Sequence, residues 1–157
     1  MKRILVFNEQ KIAIEIVYDN FILKNINFVS YDNHHFDYDA LNDFEKKVYD
    51  ELFEYLEGQR KNFTIPIEIK GTNFQKKVYN ELLKIPYGEV VSYQDIAIKL
   101  GDKKYSRAVG NALNKNKLPI IIPCHRVINK NRNLGGYAGG IELKKYLLTI
   151  EKVRRNV

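Results

Sequence analysis

The sequence predicts two units in series: a small α/β unit over 1–62 and a mostly helical unit over 71–157, joined by a linker over 63–70. Three observations carry this. Charge divides the chain, since residues 1–62 hold 8 Lys+Arg against 12 Asp+Glu while 63–157 hold 18 against 7, within a net charge of +7. The first part shows short runs rich in Ile, Val and Phe, followed by one helical stripe. The second part shows helix-start signals in succession, each closed by glycine or a turn.

In the first part, 4–7, 12–17, 21–23 and 26–30 read as strands interrupted by 8–11, Asp19-Asn20 and Asn25, which makes a small antiparallel meander. Leu41, Phe44, Val48, Leu52 and Leu56 recur at steps of three and four, an amphipathic helix ended by Gly58. His34-His35 sits in a polar loop with no cysteine near it and reads as surface rather than metal site. The extended stretch 63–70, with Pro66, reads as a linker that can carry a strand.

In the second part, Thr72 with Gln75 forms a capping box, backed by the stripe Phe74, Val78, Leu82 and Ile85. Pro86-Tyr87-Gly88 turns the chain. Ser92 with Asp95 is a second capping box, opening a short helix with Ile96, Ala97 and Leu100 inward and Gly101 at its end. Ser106 then caps a helix running to about Asn114. Two short helices across a tight, basic turn make a helix-turn-helix candidate, although such hairpins also occur without DNA. In the second of them, Val109 and Leu113 face the core, and Ala108, Gly110, Asn111 and Ala112 leave a small outward face headed by Arg107. A glycine inside a helix costs about 1 kcal/mol relative to alanine. Close approach to another surface, a narrow groove or a neighbouring helix, would compensate for it.

The chain holds one cysteine. It can form no intrachain disulfide and supplies too few thiolates for a structural zinc site. It is therefore a buried small hydrophobe or a nucleophile. Its setting, Pro123-Cys124-His125-Arg126 after an apolar run over 118–122 and before a second over 126–128, favours the nucleophile. His125 is an adjacent base, but neighbouring side chains on a strand point to opposite faces. Either the chain turns at Pro123-Cys124 or a water links thiol and imidazole. After a turn at 129–133 come four glycines in 135–140, which allow close approach to a ligand but lack the lysine and hydroxyl of a phosphate-binding loop. The last helix, about 140–152, buries Leu143, Leu147 and Ile150. It leaves Glu151 where a carboxylate gains nothing from the helix dipole, which suggests a paired role.

No run approaches the ~20 apolar residues that span a bilayer. The amino-terminal apolar stretch is too short for a signal peptide. With a single thiol, this predicts a reducing, cytoplasmic setting, or a nuclear one in a eukaryote. The basic second unit is the part expected to meet a polyanion.

The strings IPCHRVI, GTNFQKKVY, IPYGEVVSYQDIA, RAVGNALNKN and GGYAGGIELKKYLL stand in this sequence over 71–151. Together they resemble the O6-alkylguanine-DNA alkyltransferase family, also called methylated-DNA–protein-cysteine methyltransferases. Residues 1–62 resemble that family's variable first domain only in size and strand-then-helix pattern. The resemblance implies a ribonuclease H-like first domain and a winged helix-turn-helix-like second domain. It implies transfer of an alkyl group from flipped O6-alkylguanine, chiefly O6-methylguanine with O4-methylthymine as a second candidate, irreversibly to Cys124, once per molecule.

By position, His125 would be the water-mediated base, Glu151 its orienting carboxylate and Asn116 the organiser of the loop. Tyr93 would assist flipping and protonate the leaving guanine. Arg107 would replace the flipped base in the stack, with Ser106, Ala108, Gly110, Asn111, Tyr93 and Arg126 contacting DNA through the minor groove. Pro119, Val127, Tyr137 and Ala138 would line the alkylguanine pocket. Ala138 stands where many relatives have serine, which removes a hydroxyl contact. No metal-ligand set stands in the first unit, so the zinc of some relatives is not carried over. No cofactor is implied, and a monomer bound to double-stranded DNA is expected. Two other readings compete: a non-catalytic DNA-binding protein, although the non-transferring relatives replace the cysteine with tryptophan, and a cysteine hydrolase, which leaves the small-faced helix and the basic asymmetry unexplained.

Overall fold

The computed structural model describes residues 1–131 and 133–153. Arg132, part of the turn expected at 129–133, and 154–157 lie outside the described residues. The chain divides into two compact units, Met1–Glu68 and Ile69–Val157.

The first unit is an antiparallel meander, β1 (Lys2–Phe7), β2 (Ile12–Asp19) and β3 (Ile22–Val29), followed by helix α1 (Asp43–Leu56). Two of the expected runs are one strand. Asn25 does not interrupt β3 but pairs with Val17, and a register shift between Val17 and Tyr18 absorbs the irregularity. Leu5, Ile14, Ile16 and Leu23 from the sheet are buried, as are Val48, Leu52 and Tyr55 from α1. Asn42 caps α1 through a capping box with Glu45. Gly58, at φ 77°, follows its end.

Much of the expected linker belongs to this unit. Leu23 N–H donates to Pro66 O at 2.8 Å, and Glu68 N–H donates to Leu23 O at 3.0 Å. The buried Glu51 carboxylate accepts from the Thr64 backbone N–H at 2.7 Å and from its hydroxyl at 2.5 Å. An extended segment with those backbone groups engaged is an added edge of the sheet, not a free tether.

The second unit contains α2 (Asn73–Leu82), β4 (Val91–Ser92), α3 (Tyr93–Lys99), α4 (Ser106–Asn114), β5 (Val127–Ile128) and α5 (Ile141–Ile150). Both expected capping boxes are formed, Thr72 with Gln75 and Ser92 with Asp95. Ser106 does not cap α4. A 3-10 turn over Lys103–Tyr105 runs straight into the helix, so Ser106 is its first residue and its hydroxyl donates to Lys103 O at 2.7 Å. Strand β4 pairs in parallel with β5, which fixes the start of α3 beside the segment that follows the cysteine. The run 118–122 turns rather than extends, with Ile122 N–H donating to Leu118 O at 2.9 Å.

Helix α5 buries Lys144, Leu147 and Leu148, so its inward face is rotated from the expected Leu143, Leu147 and Ile150. Ile128, Leu134 and Leu148 form a core cluster, with Val90 and Val153 packed against it. No described helix is long and apolar enough to cross a membrane.

Candidate active site

The chain turns at the cysteine. Cys124–Arg126 is a single 3-10 turn after Pro123, and all three residues are buried. The turn frees Cys124 and His125 from the opposite-face rule of a strand. It also aims His125 and Arg126 at one partner, the Glu151 side chain at the C-cap of α5. His125 Nε2 lies 2.8 Å from Glu151 Oε2. Arg126 donates from Nε to Oε1 at 2.9 Å and from its second terminal nitrogen to Oε2 at 3.1 Å. Gly88 N–H donates to Oε1 at 3.0 Å. The paired role expected for Glu151 thus involves an imidazole, a guanidinium and a backbone amide.

Arg126, expected to contact DNA, has its guanidinium buried on Glu151 and on Ile85 O, to which it donates at 2.8 Å. A guanidinium so engaged would leave its carboxylate uncompensated if it turned to a phosphate.

Burial pushes the Cys124 thiol above its ordinary range, opposed by a hydrogen bond from Asn116 and by the charge of Lys144. Burial likewise pushes His125 below the usual histidine range, against the pull of Glu151 and with the charges of Arg126 and Lys144 adding to the fall. The site therefore rests as neutral thiol and neutral imidazole. Such a pair can pass a proton once an electrophile makes the thiolate worth forming.

Asn116 also shapes the loop ahead of the cysteine, donating to Ile122 O and accepting from Leu118 N–H, each at 3.0 Å. Within that loop Ile120 adopts φ 76°, a strained conformation for a β-branched residue. Pro119 and Val127 are buried, Tyr137 is half-buried and Ala138 is exposed. The Tyr137 ring stands edge-on to His125 at 6.4 Å and 87°. Tyr93, first in α3, packs where a Gly135 side chain would be: a Cβ there would lie 2.7 Å from its hydroxyl. Burial, then the proximity of Cys124, raises the Tyr93 phenol, which holds it protonated.

On α4, Arg107, Ala108 and Asn111 are exposed, and Ser106 and Gly110 are half-buried. Ala112, expected outward, is buried, and its carbonyl accepts from the Tyr79 hydroxyl at 2.8 Å. A Cβ on Gly110 would come no nearer than 3.9 Å to the Tyr93 ring, so packing inside the unit does not require glycine there.

Two features escaped sequence reasoning. Lys144 is fully buried, its ammonium donating to Val127 O at 2.8 Å, to Gly136 O at 3.3 Å and to Leu134 O. The signal was present, since 144, 147, 148 and 151 form a helical stripe as good as 143, 147 and 150. The other feature is the 85–88 turn, whose carbonyl and amide hold Arg126 and Glu151. Among the described residues, no group of three or more His, Cys, Asp or Glu could hold a metal ion.

A buried thiol followed in the chain by a carboxylate-held imidazole stands on a helical unit with a small-faced exposed helix, an arrangement that can serve a cysteine nucleophile. Residues 73–153 match the family described as 6-O-methylguanine DNA methyltransferase, DNA binding domain. The inducible methylated-DNA–protein-cysteine methyltransferase of Bacillus subtilis is 53% identical over 102 residues, 65% of this chain and 57% of that protein. The Methanosarcina acetivorans protein of that name is 46% identical over 109 residues, 69% of this chain and 70% of the relative. The crystal structure of Mycobacterium tuberculosis OGT in complex with DNA aligns with a TM-score of 0.81 at 33% identity, covering 96% of this chain and 92% of the other. The chain belongs to the 6-O-methylguanine DNA methyltransferase family. Its match spans 57% and 63% of the lengths of the two Bacillus subtilis relatives.

Proposed function

We propose that this protein repairs DNA by moving the alkyl group of O6-alkylguanine, chiefly O6-methylguanine with O4-methylthymine second, onto Cys124. The observation that carries the reading is the buried thiol of Cys124, followed in the same turn by a His125 held on Glu151 at 2.8 Å. The S–C bond forms as the bond from the alkyl carbon to guanine O6 breaks. His125, through a water, takes the thiol proton, and Tyr93 gives a proton to the leaving guanine. The net result is a thioether and a normal guanine; the proton held on His125 returns through water to the Tyr93 phenolate, so both residues end as they began. Thiol exchange does not cleave a thioether, and the sequence has no second cysteine, so each molecule reacts once.

A buried sulfur requires the base to leave the stack, at a cost of a few kcal/mol that is least for a damaged pair. Helix α4 is our candidate for the minor groove, with Arg107 filling the vacated stack and Ser106, Ala108, Gly110 and Asn111 allowing close approach, assisted by Tyr93. The exposed small face and the unforced glycine of α4 support this. Pro119, Val127, Tyr137 and Ala138 are assigned to the alkylguanine pocket, and Asn116 to ordering its floor. We read the first unit as a minimal ribonuclease H-like domain and residues 71–157 as a winged helix-turn-helix domain acting as a cytoplasmic monomer.

The test is incubation with duplex DNA carrying O6-methylguanine, followed by intact mass and peptide mapping. One methyl on Cys124, and never more than one per protein, is expected; an unmodified thiol or continued turnover refutes the reading. Arg107→Ala should slow repair in duplex DNA more than reaction with the free alkylated base. Equal slowing of the two would remove Arg107 from the flipping step.

A further inference from the structure

We propose that Arg126 is a positioning residue of the alkyl-transfer site: by occupying both oxygens of Glu151 it fixes the His125 proton on Nε2 and makes Nδ1 the basic nitrogen. The proposal rests on the reading of Cys124 as alkyl acceptor.

The argument begins at the carboxylate, which accepts at least four hydrogen bonds. Oε1 takes Arg126 Nε at 2.9 Å and Gly88 N–H at 3.0 Å, and Oε2 takes Arg126 at 3.1 Å alongside His125 Nε2 at 2.8 Å. A guanidinium is never deprotonated in proteins and has only donors. With such a fork on both oxygens, Glu151 is held as a carboxylate, an acceptor only. The 2.8 Å contact to Oε2 then needs a hydrogen on His125 Nε2. A neutral imidazole carries one, so its lone pair is on Nδ1.

Arg126 is itself fixed by the 85–88 turn. Its remaining terminal nitrogen donates to Ile85 O at 2.8 Å, and its guanidinium carbon lies 5.8 Å from the Tyr87 ring centroid. Gly88 supports the same arrangement from φ 85°, a conformation an L side chain resists, while its N–H reaches the carboxylate. A turn with one carbonyl on the guanidinium and one amide on the carboxylate sets the fork before any substrate arrives.

Arg126 also balances the charges around the imidazole. Glu151 faces His125 from the end of α5, Lys144 from within α5, Tyr137 from the glycine-rich loop, and Cys124 and Arg126 from its own turn. A carboxylate alone would draw a second proton onto the ring and end its service as a base. The shared guanidinium, with burial and Lys144, opposes that proton. Glu151 orients and Arg126 restrains.

The experiment is 15N NMR of histidine-labelled full chain, which contains three histidines, with parallel pH profiles of methyl transfer from the free alkylated base. In the wild type, His125 should be neutral at neutral pH with its hydrogen on Nε2. In Arg126→Met its protonation midpoint should rise by about one pH unit, so that the acid limb of the transfer profile moves up by the same amount and the rate recovers fully as pH rises. Arg126→Lys, which keeps the charge but not the fork, should retain the Nε2–H form with a smaller loss. An Nδ1–H or protonated ring in the wild type overturns the proposal without any variant, including the case in which Arg126→Met does not fold. A rate lost equally at every pH, with an unaltered ring, also overturns it, because Arg126 would then serve stability alone. The predicted ring state without methyl transfer by the wild type refutes the alkyl-transfer reading and leaves the tautomer assignment standing.

Discussion

Replacing Lys144 by methionine tests whether a buried ammonium holds the site together. The methionine fills similar volume but removes the donor to Val127 O, Leu134 O and Gly136 O. Two effects compete. The variant is relieved of desolvating an ammonium, a penalty of several kcal/mol. Against that, the ammonium's hydrogen bonds are charge-assisted, and carbonyls left without a donor in a dry interior cost about 1–3 kcal/mol each. We expect a net loss of about 3 kcal/mol, which for a unit of this size lowers Tm by on the order of 10–20 °C. The charge has a second reach. It opposes the effect of burial on Cys124, so its loss raises the thiol further and moves the pH profile of methyl transfer to the alkaline side. Thermal unfolding and the pH profile together check both arms. A Tm within a degree or two of wild type, with an unmoved profile, would show that the three carbonyls are satisfied without Lys144 and that its charge does not reach the sulfur.

Two further outcomes follow from the same geometry. Gly135→Ala forces φ 74° on a residue with a Cβ and places that Cβ 2.7 Å from the Tyr93 hydroxyl, so Tyr93 must shift; a destabilisation of about 1–3 kcal/mol is expected, and it should shrink in a Tyr93→Phe background, whereas additive effects in the double-mutant cycle would remove the contact from the explanation. For pH dependence, His125 is neutral in the folded state and its affinity for protons is depressed by burial. The unfolded chain therefore binds a proton that the folded one refuses, and stability is lost as pH falls below the unfolded histidine value near ~6.5, at up to about 1.4 kcal/mol per pH unit. Urea unfolding from pH 7 to 5 should show this slope, and His125→Asn should flatten it; identical slopes in the two proteins would assign the acid sensitivity elsewhere.

What could be read without coordinates was what local chemistry decides. The capping boxes at Thr72 and Ser92 are three-residue motifs, and both formed. Ser106 has the right residue type for a cap. It failed because Asp102 caps the preceding 3-10 turn, which leaves α4 no free N-terminus to cap. The strands of the first unit followed their apolar runs, except at Asn25, where a bulge at Lys24 in the same strand carries the pairing across the polar residues. Cys124, His125 and Glu151 were identified in sequence, but the turn that aims them was only one of two options. Arg126 was read as a DNA contact and Lys144 was not singled out, because their partners lie far away: Glu151 is 25 residues from Arg126, and Val127 O is 17 from Lys144. No window-based reasoning reaches across such separations, and only a charged residue on an otherwise apolar stripe hints at them.

The protonation state of Cys124 has a consequence for how long the protein remains useful. In an unfolded chain this sulfur would ionise in the ordinary thiol range and be open to any dissolved oxidant or electrophile. Folding buries it and disfavours its anion. The residue is thereby kept in reserve, slow toward chance encounters, and spoilage during storage should track local opening around the Cys124 turn rather than the concentration of thiolate in the native state.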